Sequence, residues 1–312
     1  MPSTSQSITA TCQCGAAQHN VTMPDTSSPV PAVFCHCDSC RHMSGCLSVT
    51  SIALPPNVPP QTGLLDRLTP FEFSKNRITH YFCSICGTHM VARVLPRQGR
   101  KDFEELWFFM CGTIQNMLLA YQPCHEFIAD TIDGGIAKFL SFDNGRQIER
   151  WAQRPEDGQH LPLDWSSHTG QATPSPPDGT LHAHCKCRGV EFWITRLSTP
   201  SKYAATICDC ESCRLSSGMD SRVVGLAQIP IQNMSLDREG CTPCPENFSF
   251  GTIKKYQHVS GEERAFCATC GASIFVDRHG LGTLRIAVGL FVSSKGARAE
   301  DWLEWKGIAQ VG

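Results

Sequence analysis

The chain has 312 residues, 41% hydrophobic and 18% charged, with a formal net charge of -2 at pH 7. That length suffices for two ordinary domains, and the composition excludes wholesale disorder. The near-neutral balance, with no long Lys/Arg run, argues against nucleic acid as a partner.

The opening segment MPSTSQSITATCQC lacks a basic n-region and an apolar core, so no secretory signal is expected. No apolar run approaches the roughly 18 residues of a membrane span, so no membrane association is expected. The longest run, Leu106 to Ile114, reads as a short core strand. Nineteen cysteines without an export signal point to metal ligation in a reducing, cytoplasmic setting rather than to disulfides.

In chain order, the first copy of a repeat begins with Cys12 and Cys14, followed by Cys35, Cys37 and Cys40. The segments ITHYF and THMVARV, β-branched and partly alternating, predict strands on either side of Cys83 and Cys86. A C-x-x-C-G sequence between two strands reads as a zinc knuckle at a hairpin turn, with Gly87 supplying positive φ. A short helical turn is expected after Cys40. Residues 152–180, rich in Pro, Gly, Ser and Thr, have linker composition, with Trp151 and Trp165 able to pin parts of them to a domain.

Beyond that linker the cysteines recur. Cys185, Cys187, Cys208, Cys210 and Cys213 repeat the first five at a displacement of 173 positions, and Cys267 and Cys270 repeat Cys83 and Cys86 at 184. The 11-residue difference is an insertion between Cys213 and Cys267, placed in the loop holding Cys241, Pro243, Cys244 and Pro245. Strands are predicted at VEFWIT after Cys187 and in TLRIAVGLFV, a helical turn after Cys213, and a second knuckle ending at Gly271. Cys40-Arg41 followed by Ser44-Gly45 is echoed by Cys213-Arg214 followed by Ser217-Gly218, and Phe82 by Phe266. The chain is a tandem duplication, with domains at 8–151 and 181–312.

Each copy offers seven paired cysteines. Zinc prefers four tetrahedral ligands, and a three-ligand set with an open fourth position marks a catalytic site. A division into four plus three therefore suits the pattern. The alternative is that all fourteen are scaffold, with a further protein ligand closing the open site.

The motifs CQCG, CHCDSCRHMSG and YFCSICGT, repeated as CKCRG, CDCESCRLSSG and AFCATCGA, resemble the glutathione-dependent formaldehyde-activating enzyme family, which includes centromere protein V. The resemblance implies a mainly β architecture: two tandem zinc-binding β-tent domains of coiled antiparallel sheets. It also implies structural zinc on Cys12, Cys14, Cys83 and Cys86, and on Cys185, Cys187, Cys267 and Cys270. Open, catalytic zinc would then sit on Cys35, Cys37 and Cys40, and on Cys208, Cys210 and Cys213, giving up to four Zn2+ ions per chain.

Three thiolates quench much of the ion's charge, so such a centre suits an exchangeable sulfur ligand or a weakly polarised carbonyl better than water activation. The implied activity is that of a carbon–sulfur lyase acting on a thiol–aldehyde adduct, with glutathione a candidate co-substrate. Two alternatives remain open: a secondary-metabolite tailoring enzyme (cyclisation, dehydration or epimerisation), and a non-catalytic zinc scaffold binding a protein partner. His36 and His42 are the candidate catalytic proton carriers, being neutral-pH shuttles within the first triplet. His80 and His125 lie elsewhere in the first copy, and His125 (in HEFIA) has no histidine counterpart near Trp302. Arg93, Arg97, Arg100 and Lys101 form a basic loop able to meet glutathione carboxylates or simply to solvate a hairpin tip. Cys46, Cys111, Cys124, Cys241 and Cys244 fall outside the scheme.

Overall fold

The computed structural model describes residues 6–23, 30–55, 59–61, 63–96, 105–115, 121–156, 158–167, 179–196, 202–277 and 282–307. The first copy runs β1 (Gln6–Thr11), β2 (Gln18–Met23), β3 (Val30–Cys35), α1 (Asp38–Ser44), β4 (Val49–Ala53), β5 (Leu68–Ser74), β6 (Ile78–Cys83), β7 (His89–Val94), β8 (Leu106–Met110) and β9 (Tyr121–Glu126). Three two-residue strands follow: β10 (Phe142–Asp143), β11 (Arg146–Gln147) and β12 (Glu149–Arg150). The second copy runs β13 (Thr180–His184), β14 (Glu191–Thr195), β15 (Tyr203–Ile207), α2 (Glu211–Ser217), β16 (Gly225–Pro230), β17 (Met234–Ser235) and β18 (Ile253–Gln257). It ends with β19 (Glu263–Cys267), β20 (Ser273–Asp277), β21 (Thr283–Ala287), β22 (Phe291–Val292) and β23 (Leu303–Lys306). The architecture is mainly β, as the repeat implied.

The main sheets of the two copies have one topology. The order β9-β3-β4-β8-β7-β6-β5 of the first is matched by β23-β15-β16-β21-β20-β19-β18 of the second, and β12 adds an edge strand to the first. The last strand of each core pairs parallel to the strand that leads into the triplet, with Cys35, the last residue of β3, opposite Glu126. In the first copy β1 and β2 make a separate hairpin, whereas β13 and β14 join β17 and β22 in a four-stranded sheet.

Alternation along the first sheet separates two faces, because successive strand residues point oppositely. Ala32, Phe34, Ile52, Trp107 and Phe109 are buried in the core. Their neighbours Val33, Cys35, Val49, Ser51, Phe108 and Met110 point the other way and line a cleft. The helix α1 starts where Cys37 Sγ accepts from the Cys40 N–H (3.4 Å) and ends at Gly45, in the left-handed region at φ 76°. In α2, Cys210 and Gly218 (φ 77°) do the same, so each helix begins on a triplet cysteine rather than after the triplet.

The copies share one core. Phe82 and Phe266 meet edge to face, ring centroids 6.4 Å apart. A side chain on Gly87 would collide with the Phe266 ring and one on Gly271 with the Phe82 ring, so both knuckle glycines, at φ 79° and 78°, also make room for the other copy. Gly289 N–H donates to Gly45 O (3.0 Å) and Gly112 N–H to Gly218 O (2.9 Å), tying each helix end to the opposite copy.

The segment after β9 wraps the first copy. Leu161 is buried with Ile128 and Ala137, and Trp165 packs against them. Part of the Pro/Gly/Ser-rich stretch is therefore held by apolar burial, with Trp165 pinning it as the sequence suggested. The insertion divides by register. It places two residues before β16 and ten in the 231–252 connection, and the first copy carries one extra residue at the β5 bulge. No helix among the described residues is long and apolar enough to cross a membrane.

Candidate metal centres and the cleft beside them

The fourteen paired cysteines gather into four groups. The sulfur atoms of Cys12, Cys14, Cys83 and Cys86 all lie within 4.8 Å of one another, as do those of Cys185, Cys187, Cys267 and Cys270. The triplets Cys35, Cys37, Cys40 and Cys208, Cys210, Cys213 meet the same limit. The first pair of each quartet sits in the hairpin after β1 or β13. The second sits in the β6–β7 or β19–β20 turn, where Gly87 N–H donates to Cys83 O and Gly271 N–H to Cys267 O, both at 2.9 Å.

Sulfurs this crowded resist joint ionisation without a cation, and their proton sharing shows it. Hydrogen bonds from Cys12 and Cys83 push Cys86 down to about 2, while the same network pushes Cys83 up. In the first triplet, hydrogen bonds from Cys35 and Cys40 push Cys37 down to about 3, and Cys35 and Cys40 are raised. Four mostly buried sulfurs in one group, and three in another, form the donor sets that suit a closed and an open zinc site. Among the described residues no such group includes Cys46, Cys111, Cys124, Cys241 or Cys244.

The model of the glutathione-dependent formaldehyde-activating enzyme matches residues 7–130 and again residues 180–304. The chain belongs to that family. It is a tandem member, and both matched segments carry the full cysteine pattern. Comparison with curated proteins and with solved structures finds no match.

What surrounds the two triplets separates the two copies of the formaldehyde-activating enzyme unit. Cys35 and Cys40 open on a cleft of about 340 Å³, walled by alternate residues of β3, β4 and β6 to β8. His80 lines it from the sheet, Glu126 and Phe127 from the end of β9, and Arg154 and Glu156 from the wrapping segment. Glu126 is pushed up to about 7 by burial, with Glu156 adding to the shift and Arg154 opposing it.

Beside Cys213 the second copy leaves a space of about 30 Å³ at the seam between the copies, bounded by Gly45, Cys46 and Cys86 of the first copy as well as by Cys213, Val224, Leu226, Arg264, Val276 and Ala287. Leu226 stands where the first copy has Ser51, and Val276 where it has Ala92. Arg264 replaces His80, and its two terminal nitrogens lie 3.7 Å from Cys213 Sγ. The guanidinium also donates to Ser216 and Ser212 hydroxyls, each at 2.9 Å, and pairs with Glu262 at 3.0 Å. Cys210, by contrast, is exposed.

The candidate histidines lie away from the cleft. His125 Nε2–H donates to Leu140 O (2.7 Å), which leaves its Nδ1 to accept from His36 Nε2–H at 2.8 Å. Both rings are fully buried, and burial pushes His125 down to about 3 and His36 well below its ordinary range. His42 Nδ1–H donates to His184 O (2.8 Å), and the two rings stack at 4.2 Å, so His42 reaches across to the second copy. Burial pushes it down to about 3.

Of the basic loop, Arg93 pairs with Glu105 at 2.6 Å, while Arg97, Arg100 and Lys101 lie outside the described residues. Sequence reasoning passed over Glu126, Arg77, Arg154 and Glu156, all of which line the cleft. Glu126 was detectable: it follows His125 on a strand, so a buried histidine turns the carboxylate to the opposite face.

Proposed function

We propose that the first copy's triplet is the catalytic centre of a zinc-dependent lyase-type enzyme. It would make or break the bond between a thiol and a carbonyl carbon, with glutathione the candidate thiol. The observation that carries this reading is the cleft of about 340 Å³ that reaches Cys35 and Cys40, whereas at the second triplet the Arg264 guanidinium lies against Cys213. Zinc bound by Cys35, Cys37 and Cys40 would supply a Lewis acid that favours the thiolate and polarises a carbonyl oxygen.

The chain's own residues account for the rest. Glu126 is the carboxyl that lines the cleft beside Cys35, and it is placed to take the thiol proton and return it to the carbonyl oxygen. His36 and His42 position the triplet: one braces the loop between Cys35 and Cys37 through His125, the other fixes α1 on the second copy. The second copy acts as a scaffold whose triplet is covered on its cleft side by Arg264.

Thiol–aldehyde adduct formation, followed by NMR with glutathione and formaldehyde, tests this in zinc-loaded full-length protein. Loss of turnover in Cys37→Ser with retention in Cys210→Ser is expected. The reverse pattern overturns the proposal.

A further inference from the structure

The lining of the first cleft is not what the fold requires. Ile78, Val94, Leu106 and Phe108, on three neighbouring strands, are all half-buried, and Phe73 of β5 adds an aromatic side. The same sheet face in the second copy carries charge. Glu262 stands at the position of Ile78 and Arg264 at that of His80, each at the 184-residue displacement of the knuckle cysteines. Arg285 stands at the position of Phe108: Ala92 faces Phe108 across β7–β8 as Val276 faces Arg285 across β20–β21. Arg264 and Arg285 both pair with Glu262, at 3.0 and 3.2 Å.

One backbone thus closes its face with an ion-paired network in one copy and leaves an apolar trough in the other. Partly solvated apolar surface of this kind is unfavourable until something covers it. The trough is far larger than a one-carbon aldehyde, whose two heavy atoms would leave most of it to water. At about 340 Å³ it is within the size range of pockets for drug-sized ligands. The charged groups around it are two arginines, Arg77 and Arg154, and two carboxylates, Glu156 and the partly protonated Glu126, so the lining carries little net charge and does not call for a charged ligand.

We infer that the electrophile of the first copy is a neutral, flat, largely apolar carbonyl compound of at least one ring. Its ring system lies along Phe73, Ile78, Leu106 and Phe108, and its carbonyl end faces Cys35 and Cys40. This rests on the reading that the first triplet is the open centre, and it names the substrate class for that site. Phe108 is then the specificity-determining residue, and the second copy, with Arg285 in its place, rejects such a ring.

The test uses zinc-loaded full-length protein and two probes, 2-naphthaldehyde and formaldehyde, with binding followed by tryptophan fluorescence and calorimetry. Saturable binding of 2-naphthaldehyde, weakened roughly tenfold or more in Phe108→Arg, is expected, because the ring would then meet a charge it must desolvate. Ala92→Val, the second copy's residue, narrows the trough with little risk to the fold and weakens the same binding. Circular dichroism and zinc content confirm that each variant is folded and loaded. Equal binding by wild type and both variants, or no binding of the ring compound, overturns the inference. Binding that depends on Phe108 but is unchanged in Cys37→Ser supports the ring-binding trough while removing the zinc-centred proposal.

Discussion

His80 and Arg264 occupy one position in the two copies, and they stand differently towards the triplets beside them. His80 borders open space beside Cys40, whereas the Arg264 guanidinium lies 3.7 Å from Cys213 Sγ. A cation against a site rich in thiolate neutralises it and fills the volume a substrate would need. His80→Arg is therefore expected to lower kcat/KM by about a hundredfold or more, a loss comparable to removing an interaction made in the transition state. Steady-state kinetics alongside a zinc assay checks it. Unchanged kcat/KM in a folded, loaded His80→Arg would show that the cleft is not the route to the triplet.

Four zinc ions per chain are expected, two held tightly and two released under mild chelation. The quartets offer four sulfurs each and the triplets three, so the triplet ions lack one protein bond. Elemental analysis before and after a short exposure to a weak chelator gives the count. The two labile ions should differ in rate, since Cys210 is exposed while the first triplet lies at a walled cleft. A stoichiometry fixed at two, with no labile fraction, removes the open-site argument.

Cys14→Ser and Cys83→Ser are expected to unfold the first copy, and Cys37→Ser to leave the fold largely intact. Structural zinc contributes folding free energy on the order of 10 kcal/mol, because its ligands meet only in the folded chain. Cys14 and Cys83 join the β1–β2 hairpin to the β6–β7 turn, more than sixty residues apart in sequence, with sulfurs 3.7 Å apart. The Cys37 site is local, spanning only Cys35 to Cys40. Thermal unfolding of the three variants makes the comparison, and equal destabilisation would contradict the division into closing and open sites.

The cysteines were the legible part of this chain. Their offsets exposed the duplication, and their short spacings within each motif identified the family and all four clusters. Strand identity was legible too, because segments such as ITHYF alternate with period 2. The surroundings of the triplets were not. Whether a triplet opens on space depends on Ser51 against Leu226 and Ala92 against Val276, differences of a few carbon atoms that matter only once the sheet has curled. His36 and His42 looked like shuttles because they flank ligands, yet His36 in the loop after β3 and His42 on α1 both turn inward. Arg154 and Glu156 were hidden by linker composition: Trp165 was expected to pin part of that segment, but nothing in the composition says that pinning it brings Arg154 and Glu156 to the cleft.

Stability is expected to fall as pH drops below about 6.5, beyond what zinc release explains. Burial pushes His80, His89 and His125 down to about 3, 4 and 3. Each is neutral in the fold, whereas in the unfolded chain it takes a proton near pH 6.5. The unfolded state therefore binds more protons, so the stabilisation is complete above that pH and is lost as pH falls towards 3 to 4. At pH 5.5 the cost is about 1.4 kcal/mol per histidine. His80 faces Phe73 and His89. Burial holds His36 and His42 down in the same way, so His80→Phe should flatten the fall in urea midpoint between pH 7.5 and 5.5 by at most roughly a fifth when zinc is kept in excess. Parallel falls in wild type and variant would rule out His80 as a contributor.

Gly45→Ala and Gly218→Ala are expected to be among the costliest single-methyl substitutions in the chain, at about 3 kcal/mol or more each. Two penalties combine. Both residues hold positive φ, 76° and 77°, where an L side chain costs about 1–2 kcal/mol. A Cβ at Gly45 would also stand 2.2 Å from Ser273 O, and one at Gly218 2.0 Å from His89 O, both backbone atoms of the opposite copy. Backbone cannot rotate away as a side chain can, so relief requires the copies to separate locally, at about 1–3 kcal/mol more. Gly15→Ala is the control: its φ is 73°, yet nothing lies within 4 Å of the added carbon, so only the conformational cost of about 1–2 kcal/mol applies. Urea unfolding of the three variants separates the terms. If Gly15→Ala proves as costly as the other two, the contact between copies is not what makes these glycines necessary. If the seam variants alone are severely destabilised, the contact between the copies contributes to the stability of the whole chain, as their shared core requires.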